Sequence, residues 1–209
     1  MGVWTDSVVP RLTDRALRGP EFAELRTRTC EGLAGRVLEV GFGSGLNVDF
    51  YPPTVTSVHA VEPSDAGWEL SSRRRAESRV PVRRSGLDGQ RLAEPDSSFD
   101  AALSTFTLCT IPDAGRALSE IARVLLPGGS LHFLEHGLAP DPSVARWQHR
   151  LDPVQRRVFG GCHLSRDITD LITRAGLRIE QLDRHYLDGP RVGRPWTHLY
   201  LGRAVRMVP

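Results

Sequence analysis

Short apolar runs alternate along this chain with longer stretches in which apolar positions recur every third or fourth residue. Val37 to Val40, Val55 to Val61, Val80 to Arg84, Phe99 to Ser104 and Ser130 to Glu135 are rich in β-branched and aromatic residues and too short for helices, so they read as strands. Two more strands are expected around Leu177 to His185 and Trp196 to Ala204. The first helical region runs from about Arg11 to Leu33 with a break at Gly19-Pro20, and a short helix after Gly45 ends near Tyr51, before Pro52-Pro53. Ser64 is placed to cap a helix that reaches about Arg79. Pro112 sits near the first turn of another, whose Ala117, Leu118, Ile121, Val124 and Leu125 share one buried face, and Pro127-Gly128-Gly129 stops it. A last helix spans about Arg166 to Ala175, after a long insert from Asp141 to Ser165. This alternation predicts an α/β fold: a mostly parallel sheet with helices on both faces.

Within that frame, Val37-Leu38-Glu39-Val40-Gly41-Phe42-Gly43-Ser44-Gly45 runs an apolar strand directly into glycines at every second position. Glycine accepts the positive φ of a tight strand-to-helix turn and lets a ligand approach the backbone, so Gly41, Gly43 and Gly45 are expected to floor a nucleotide site. The next strand ends in a carboxylate, Glu62, placed for ribose hydroxyls, with Pro63 following. A dinucleotide fingerprint would need glycine at position 46, where the chain has Leu46, so a nicotinamide oxidoreductase is the weaker reading. Glu39, two residues before the first glycine, disfavours a pyrophosphate and suits a cationic ligand end. The bland alternative is a tight βα connection with no ligand.

The G-x-G-x-G run preceded by Glu39 resembles motif I of the class I S-adenosylmethionine-dependent methyltransferases. Leu87-Asp88-Gly89, after the third strand, is similar to that family's Asp-Ala adenine turn, with Gly89 in place of alanine. Pro95 to Asp100 and Leu125 to Gly129 are also family-like, with Asp100 expected to satisfy backbone donors near a strand start. The resemblance covers about residues 35 to 136. It implies a Rossmann-like class I fold with a seven-stranded, mostly parallel sheet whose last strand is antiparallel. It also implies S-adenosylmethionine as cofactor, S-adenosylhomocysteine as product, and Glu39, Gly41, Gly43, Gly45, Glu62, Pro63, Asp88, Gly89 and Thr105 as cofactor-binding residues.

A narrower resemblance lies outside that core. Phe50-Tyr51-Pro52-Pro53, Leu108-Cys109-Thr110, Leu134-Glu135-His136, Trp147, Leu151-Asp152-Pro153, Gly161 to Arg166 and Arg194 to Gly202 are similar to the methyltransferase-like 7 group, the thiol S-methyltransferases of animals. Bacterial relatives of that group shade into ubiquinone/menaquinone-type and phospholipid N-methyltransferases. The implied partner is a small, partly apolar methyl acceptor, best read as a thiol. O-, N- or C-methylation of a quinone, phenol or lipid-like acceptor, and a non-catalytic cofactor-binding regulator, stay open. The expected organisation is one domain over residues 1–209: a helical cap at 1–34, a cofactor-binding core at 35–136, an acceptor-side insert and helix at 137–176, and C-terminal strands at 177–209.

Composition adds exclusions. A 209-residue chain with 40% hydrophobic residues can bury a full core without disulfides. Its three cysteines, Cys30, Cys109 and Cys162, form no C-x-x-C pair, which suggests a reducing compartment, no zinc site and buried structural thiols. All 27 basic residues are arginine, and a net charge of +2 does not argue for nucleic acid. Arg73-Arg74-Arg75 reads as a solvated helix face. From Met1 to Arg11, Trp4, Asp6 and Pro10 interrupt any apolar run, so no signal peptide or stable membrane anchor is expected and the protein is read as cytoplasmic. Oligomeric state is left open.

For the chemistry, a thiol acceptor needs no obligatory base, since a free thiol has a pKa of about 8.5. For a hydroxyl acceptor, His136 is the leading catalytic base and His163 the second, each with a backbone-bonded structural reading beside it. Phe106, Thr107 and Leu108 follow the fourth strand and can line the methyl path. Trp147 and Phe159 are apolar-wall candidates whose competing reading is core, and Asp152-Pro153 is expected to kink or restart a helix.

Overall fold

The structure is a computed structural model and describes residues 8–208; Trp4 and Asp6 lie outside them. Seven strands form one sheet in the order β3-β2-β1-β4-β5-β7-β6: β1 Gly35–Val40, β2 Val55–Val61, β3 Val82–Gly86, β4 Phe99–Thr105, β5 Leu125–His136, β6 Leu177–Tyr186 and β7 His198–Arg206. Neighbours from β3 to β5 pair in parallel, while β7 runs antiparallel to both β5 and β6. The order reverses at β1, so the loops after β1 and β4 diverge and open a crevice at the carboxyl edge.

The pleat decides which side chains reach each face. On one face Leu38, Val40, Ala102 and Phe133 pack with Leu118, Ile121 and Val124 of α5 (Ala114–Val124). On the other, Val37, Ala101 and Leu103 pack with Cys30 and Leu33 at the end of α2 (Pro20–Cys30). Period two therefore sends Glu39 and Thr105 to the α2 face. Asp100 accepts from Arg36 N at 2.8 Å at the strand start, as expected.

Several boundaries differ from the sequence reading. The N-terminal region is two helices, α1 (Val9–Ala16) and α2, separated at Gly19-Pro20 as anticipated. The stretch after Gly45 forms only a 3₁₀ turn at Val48–Phe50. Ser64 caps its helix by accepting from Gly67 N at 3.0 Å, but the helix divides at Ser71 into α3 (Asp65–Leu70) and α4 (Ser72–Glu77). Asp113, not Pro112, governs the start of α5, accepting from Arg116 N at 2.9 Å. Pro127-Gly128-Gly129 lies within β5, because Leu125 already pairs with Phe99 and the ladder shifts register across those residues. Most of the insert is one helix, α6 (Pro142–Val158), which continues through Pro153; α7 (Ile168–Arg174) follows.

Trp147 and Phe159 are 55% and 57% exposed, so the core reading fails for both. The arginine cluster is not a uniformly solvated face either. Arg73 is exposed beside Glu77, but Arg74 donates to Ser44 O at 2.8 Å and Arg75 stacks 3.8 Å from the Trp68 ring centre. Among the described residues no helix is long and apolar enough to cross a membrane.

Candidate active site

The glycine turn is held from beneath by β2. Gly41 N and Phe42 N donate to Val61 O at 2.9 and 3.2 Å, which swings Gly43 over the end of the sheet. The three glycines have φ of +76°, +57° and +75°, and their surroundings assign different duties. A Cβ at Gly41 would overlap the Thr107 side chain, and one at Gly45 would press on Ser71 and the Phe42 ring. At Gly43 the nearest neighbour of a Cβ would be Gly41 O at 4.0 Å. Gly41 and Gly45 thus permit close packing of protein on protein, and Gly43 alone presents open backbone.

Glu62 lies beside this turn. Its carboxylate accepts from Gly43 N at 2.6 Å and Ser64 N at 2.7 Å. Arg84 donates twice to the Glu62 carbonyl, at 2.9 and 2.7 Å, and so fixes the strand end. Burial pushes the Glu62 carboxyl up, opposed by the two backbone donors. Pro63 is exposed between Glu62 and the cap residue.

Glu39, on the α2 face, is fully enclosed. Asn47 Nδ2 donates to it at 2.9 Å and the Tyr51 hydroxyl makes a short hydrogen bond to its other oxygen. Asn47 also donates to Thr105 Oγ1 at 3.0 Å. Arg26 enters from α2, with one guanidinium nitrogen donating to Asn47 Oδ1 at 2.6 Å and to Thr105 Oγ1 at 3.2 Å. The Arg26 side chain is only 3% exposed, and its Nε is buried with no hydrogen-bond partner. Burial raises the Glu39 carboxyl to about 7, with Tyr51, Asn47 and Arg26 all pulling it down.

In the turn after β3, Asp88 is exposed and accepts from Gln90 N at 2.9 Å, which orders the turn. Gly89 is buried, and a Cβ there would stand 2.7 Å from Val40 Cγ1, so the departure from alanine has a packing cause. Across the crevice Phe106 adopts φ of +53°, uncommon for a bulky residue, and its ring meets those of Phe22 at 5.7 Å and His136 at 5.1 Å. His163 is not a free base: its Nδ1 is 3.2 Å from Asp152 Oδ2 and its backbone N donates to Cys109 O at 2.7 Å.

A family described as "Methyltransferase domain" matches residues 38–133. Human thiol S-methyltransferase TMT1A is 33% identical over 180 residues, covering 81% of this chain and 70% of that protein. The chain belongs to the S-adenosylmethionine-dependent methyltransferases. Rat thiol S-methyltransferase TMT1B is 36% identical over 153 residues, covering 70% of this chain and 62% of that one, so the chain spans roughly two thirds of the length of these relatives. A solved S-adenosylmethionine-dependent methyltransferase from Thermotoga maritima shares the fold, with a TM-score of 0.67 at 23% identity over 98% of each chain.

The residues of this methyltransferase fit its cofactor. Open backbone at Gly43 lies next to a carboxylate that can accept from ribose hydroxyls, and an enclosed carboxylate and an orphaned guanidinium N–H suit the two charges of an amino-acid end. Arg26, Asn47 and Asp14, whose carboxylate accepts from Ser44 Oγ at 2.7 Å, were not singled out from the sequence. A signal existed for Arg26: it stands with Phe22, Leu25, Thr29 and Cys30 on the buried stripe of α2, where a lone arginine requires partners.

Proposed function

We propose that this protein transfers the methyl group of S-adenosylmethionine to the sulfur of a small, partly apolar thiol, working as one methyltransferase domain. The likeness to the thiol S-methyltransferases over 81% of the chain carries this reading, because that share is larger than the matched methyltransferase domain at residues 38–133. In the proposed site Glu62 holds the ribose, Asp88 and Gly89 meet the adenine, and Glu39 and Arg26 face the ammonium and carboxylate of the methionine end. Gly43 leaves room for the chain between them.

The sulfonium of the bound cofactor supplies an already activated methyl group. The protein's share is to orient and to exclude water: proximity alone can contribute on the order of 7–11 kcal/mol. Phe106, with Phe22 and His136 packed on it, provides an apolar wall at the carboxyl edge where the acceptor would stand. His136 keeps the role of base for a hydroxyl acceptor. A cytoplasmic setting goes with this reading, supported by three free cysteines among the described residues.

The test is purified protein with S-adenosylmethionine and a panel of thiols, phenols and amines, following S-adenosylhomocysteine and methylated product. Thiol-selective turnover is expected. Turnover confined to phenols or amines would move the acceptor atom, and cofactor binding without turnover on any of them would favour the regulator.

Two binding measurements test the cofactor half. Glu62→Ala is expected to weaken S-adenosylmethionine by about 1–3 kcal/mol, since it removes charge-assisted acceptors; unchanged affinity by calorimetry would take Glu62 out of the ribose site. Affinity should also climb as pH rises through about 7, because Glu39 then becomes the anion that the cofactor's ammonium needs. Below that pH the carboxyl is neutral and the attraction is absent, so Glu39→Gln should flatten the profile at its weak end. A profile equally steep in that variant would assign the titration elsewhere.

A further inference from the structure

Three of the scattered matches to the thiol methyltransferases converge in space. Cys109 of Leu108-Cys109-Thr110 after β4, His136 of Leu134-Glu135-His136 at the end of β5 and Cys162 of Gly161-Cys162-His163 after α6 are far apart in the chain, yet their sulfur and imidazole nitrogen atoms all lie within 4.8 Å of one another. Both cysteines are buried and His136 is half-buried, so the cluster faces the crevice on its histidine side, where His136 meets Phe106.

The surrounding scaffold fixes each donor. Glu135 accepts from Thr107 N at 3.1 Å and Cys109 N at 3.2 Å, which holds the Cys109 turn. Arg166 donates to the carbonyls of Leu108 at 2.5 Å, Ile111 at 2.7 Å and Pro112 at 2.9 Å, closing the same turn from outside. Asp152 accepts from Leu164 N at 2.7 Å and Ser165 N at 3.1 Å, which anchors the segment after Cys162. Glu135 spends its oxygens on these donors, and Asp152 commits Oδ1 to them and Oδ2 to His163 Nδ1 at 3.2 Å, leaving two sulfurs and one imidazole as the converging set.

We propose that Cys109, His136 and Cys162 form a three-ligand site for a zinc-class divalent cation, whose fourth position takes the sulfur of the acceptor thiol. Two thiolates and a neutral imidazole cancel the charge of such an ion, so a buried site of this kind carries no net charge to desolvate. Three protein ligands with one open position is the arrangement of catalytic rather than structural zinc. Resting on the thiol reading above, the step balances as follows. The acceptor thiol binds the metal through sulfur and releases its proton to water; the bound thiolate attacks the sulfonium methyl carbon. As the new S–C bond forms, the old C–S bond breaks with its electron pair staying on S-adenosylhomocysteine. The neutral thioether is a poorer ligand and leaves. The widely spaced cysteines hid this arrangement in the sequence, where only local pairs such as C-x-x-C would have announced it.

The test is the full chain, purified reduced and without an oligohistidine tag, loaded with Zn²⁺ and separately with Co²⁺. About one metal per chain is expected, with Co²⁺ absorption showing thiolate ligation in a tetrahedral field. Cys109→Ser, Cys162→Ser and His136→Ala should each lower metal affinity at least about tenfold, and Cys30→Ala should not. If a variant fails to fold, the wild-type cobalt spectrum and its change on adding 2-mercaptoethanol still decide. Absence of stoichiometric metal, or a Cys109–Cys162 disulfide whose reduction restores no metal uptake, overturns the proposal. Thiol turnover that persists in demonstrably metal-free protein overturns it while leaving S-methylation standing. Stoichiometric metal with a thiol-insensitive cobalt spectrum overturns the fourth-position assignment, whether or not thiols are methylated.

Discussion

Gly43→Val is expected to abolish cofactor binding, with affinity for S-adenosylmethionine falling by more than about 100-fold, while the protein stays folded. The position is the one place in the glycine turn where a side chain would enter open space rather than protein, since the nearest atom to a Cβ is 4.0 Å away. An isopropyl group therefore fits the empty fold and occupies the space left for the cofactor. The backbone there has φ of +57°, so a β-branched residue adds strain of roughly 1–2 kcal/mol to the folded state. A modest drop in melting temperature with complete loss of calorimetric binding is the expected pair of results. Gly41→Ala should behave oppositely, because its Cβ would overlap Thr107 and damage the fold before the ligand matters. Normal cofactor affinity in folded Gly43→Val protein would contradict the placement of the cofactor over this turn.

That contrast between neighbouring glycines shows where sequence reasoning reached its limit. The G-x-G-x-G spacing announced a close approach, but only tertiary neighbours reveal that Gly41 and Gly45 serve packing. The mostly parallel sheet was legible in the alternating periodicity and the antiparallel last strand in the family resemblance, whereas the order of the strands comes from the structure. Glu39 and Thr105 could be named from motif position, and the pleat explains why both meet α2. Arg26 escaped because the region from Arg11 to Leu33 was legible only as helix with a break at Gly19-Pro20, and the buried stripe of α2 on which it stands was not identified. Pro127-Gly128-Gly129 misled for a different reason: these residues signal a chain stop, yet the strand's first pairing lies before them and the ladder simply shifts across. Trp147 was weighed as core by residue type, and its place on the outer side of α6 left it 55% exposed. The cluster of Cys109, His136 and Cys162 depends on long-range closure between the β4 and β5 ends and the segment after α6, which no local spacing encodes.

Closure of that kind has a cost, and Glu135 is the residue that meets it. Phe106 holds a left-handed φ of +53°, a conformation worth about 1–3 kcal/mol of strain, and it persists because the segments on either side are pinned. Phe106 N donates to Leu134 O at 2.8 Å, and the fully buried Glu135 carboxylate takes Ser104 Oγ at 2.7 Å, Thr107 N and Cys109 N. Glu135→Ala removes all three side-chain acceptor contacts at once and leaves two backbone N–H groups and a hydroxyl to find other partners or remain unpaired. A loss of about 3–5 kcal/mol is expected, on the order of a 10 °C fall in melting temperature for a chain of this length. The turn carrying Thr107 and Cys109 should relax, whereas Glu62 and Gly43, on the far side of β1, keep their contacts. Cofactor affinity in the surviving folded fraction should thus change little while methyl transfer falls steeply, a split that calorimetry and single-turnover rates can separate. Equal losses in both would mean that Glu135 stabilises the whole edge rather than the acceptor side. Glu135→Gln, which keeps an acceptor oxygen but brings a donor toward the same N–H groups, should fall between the two proteins in stability.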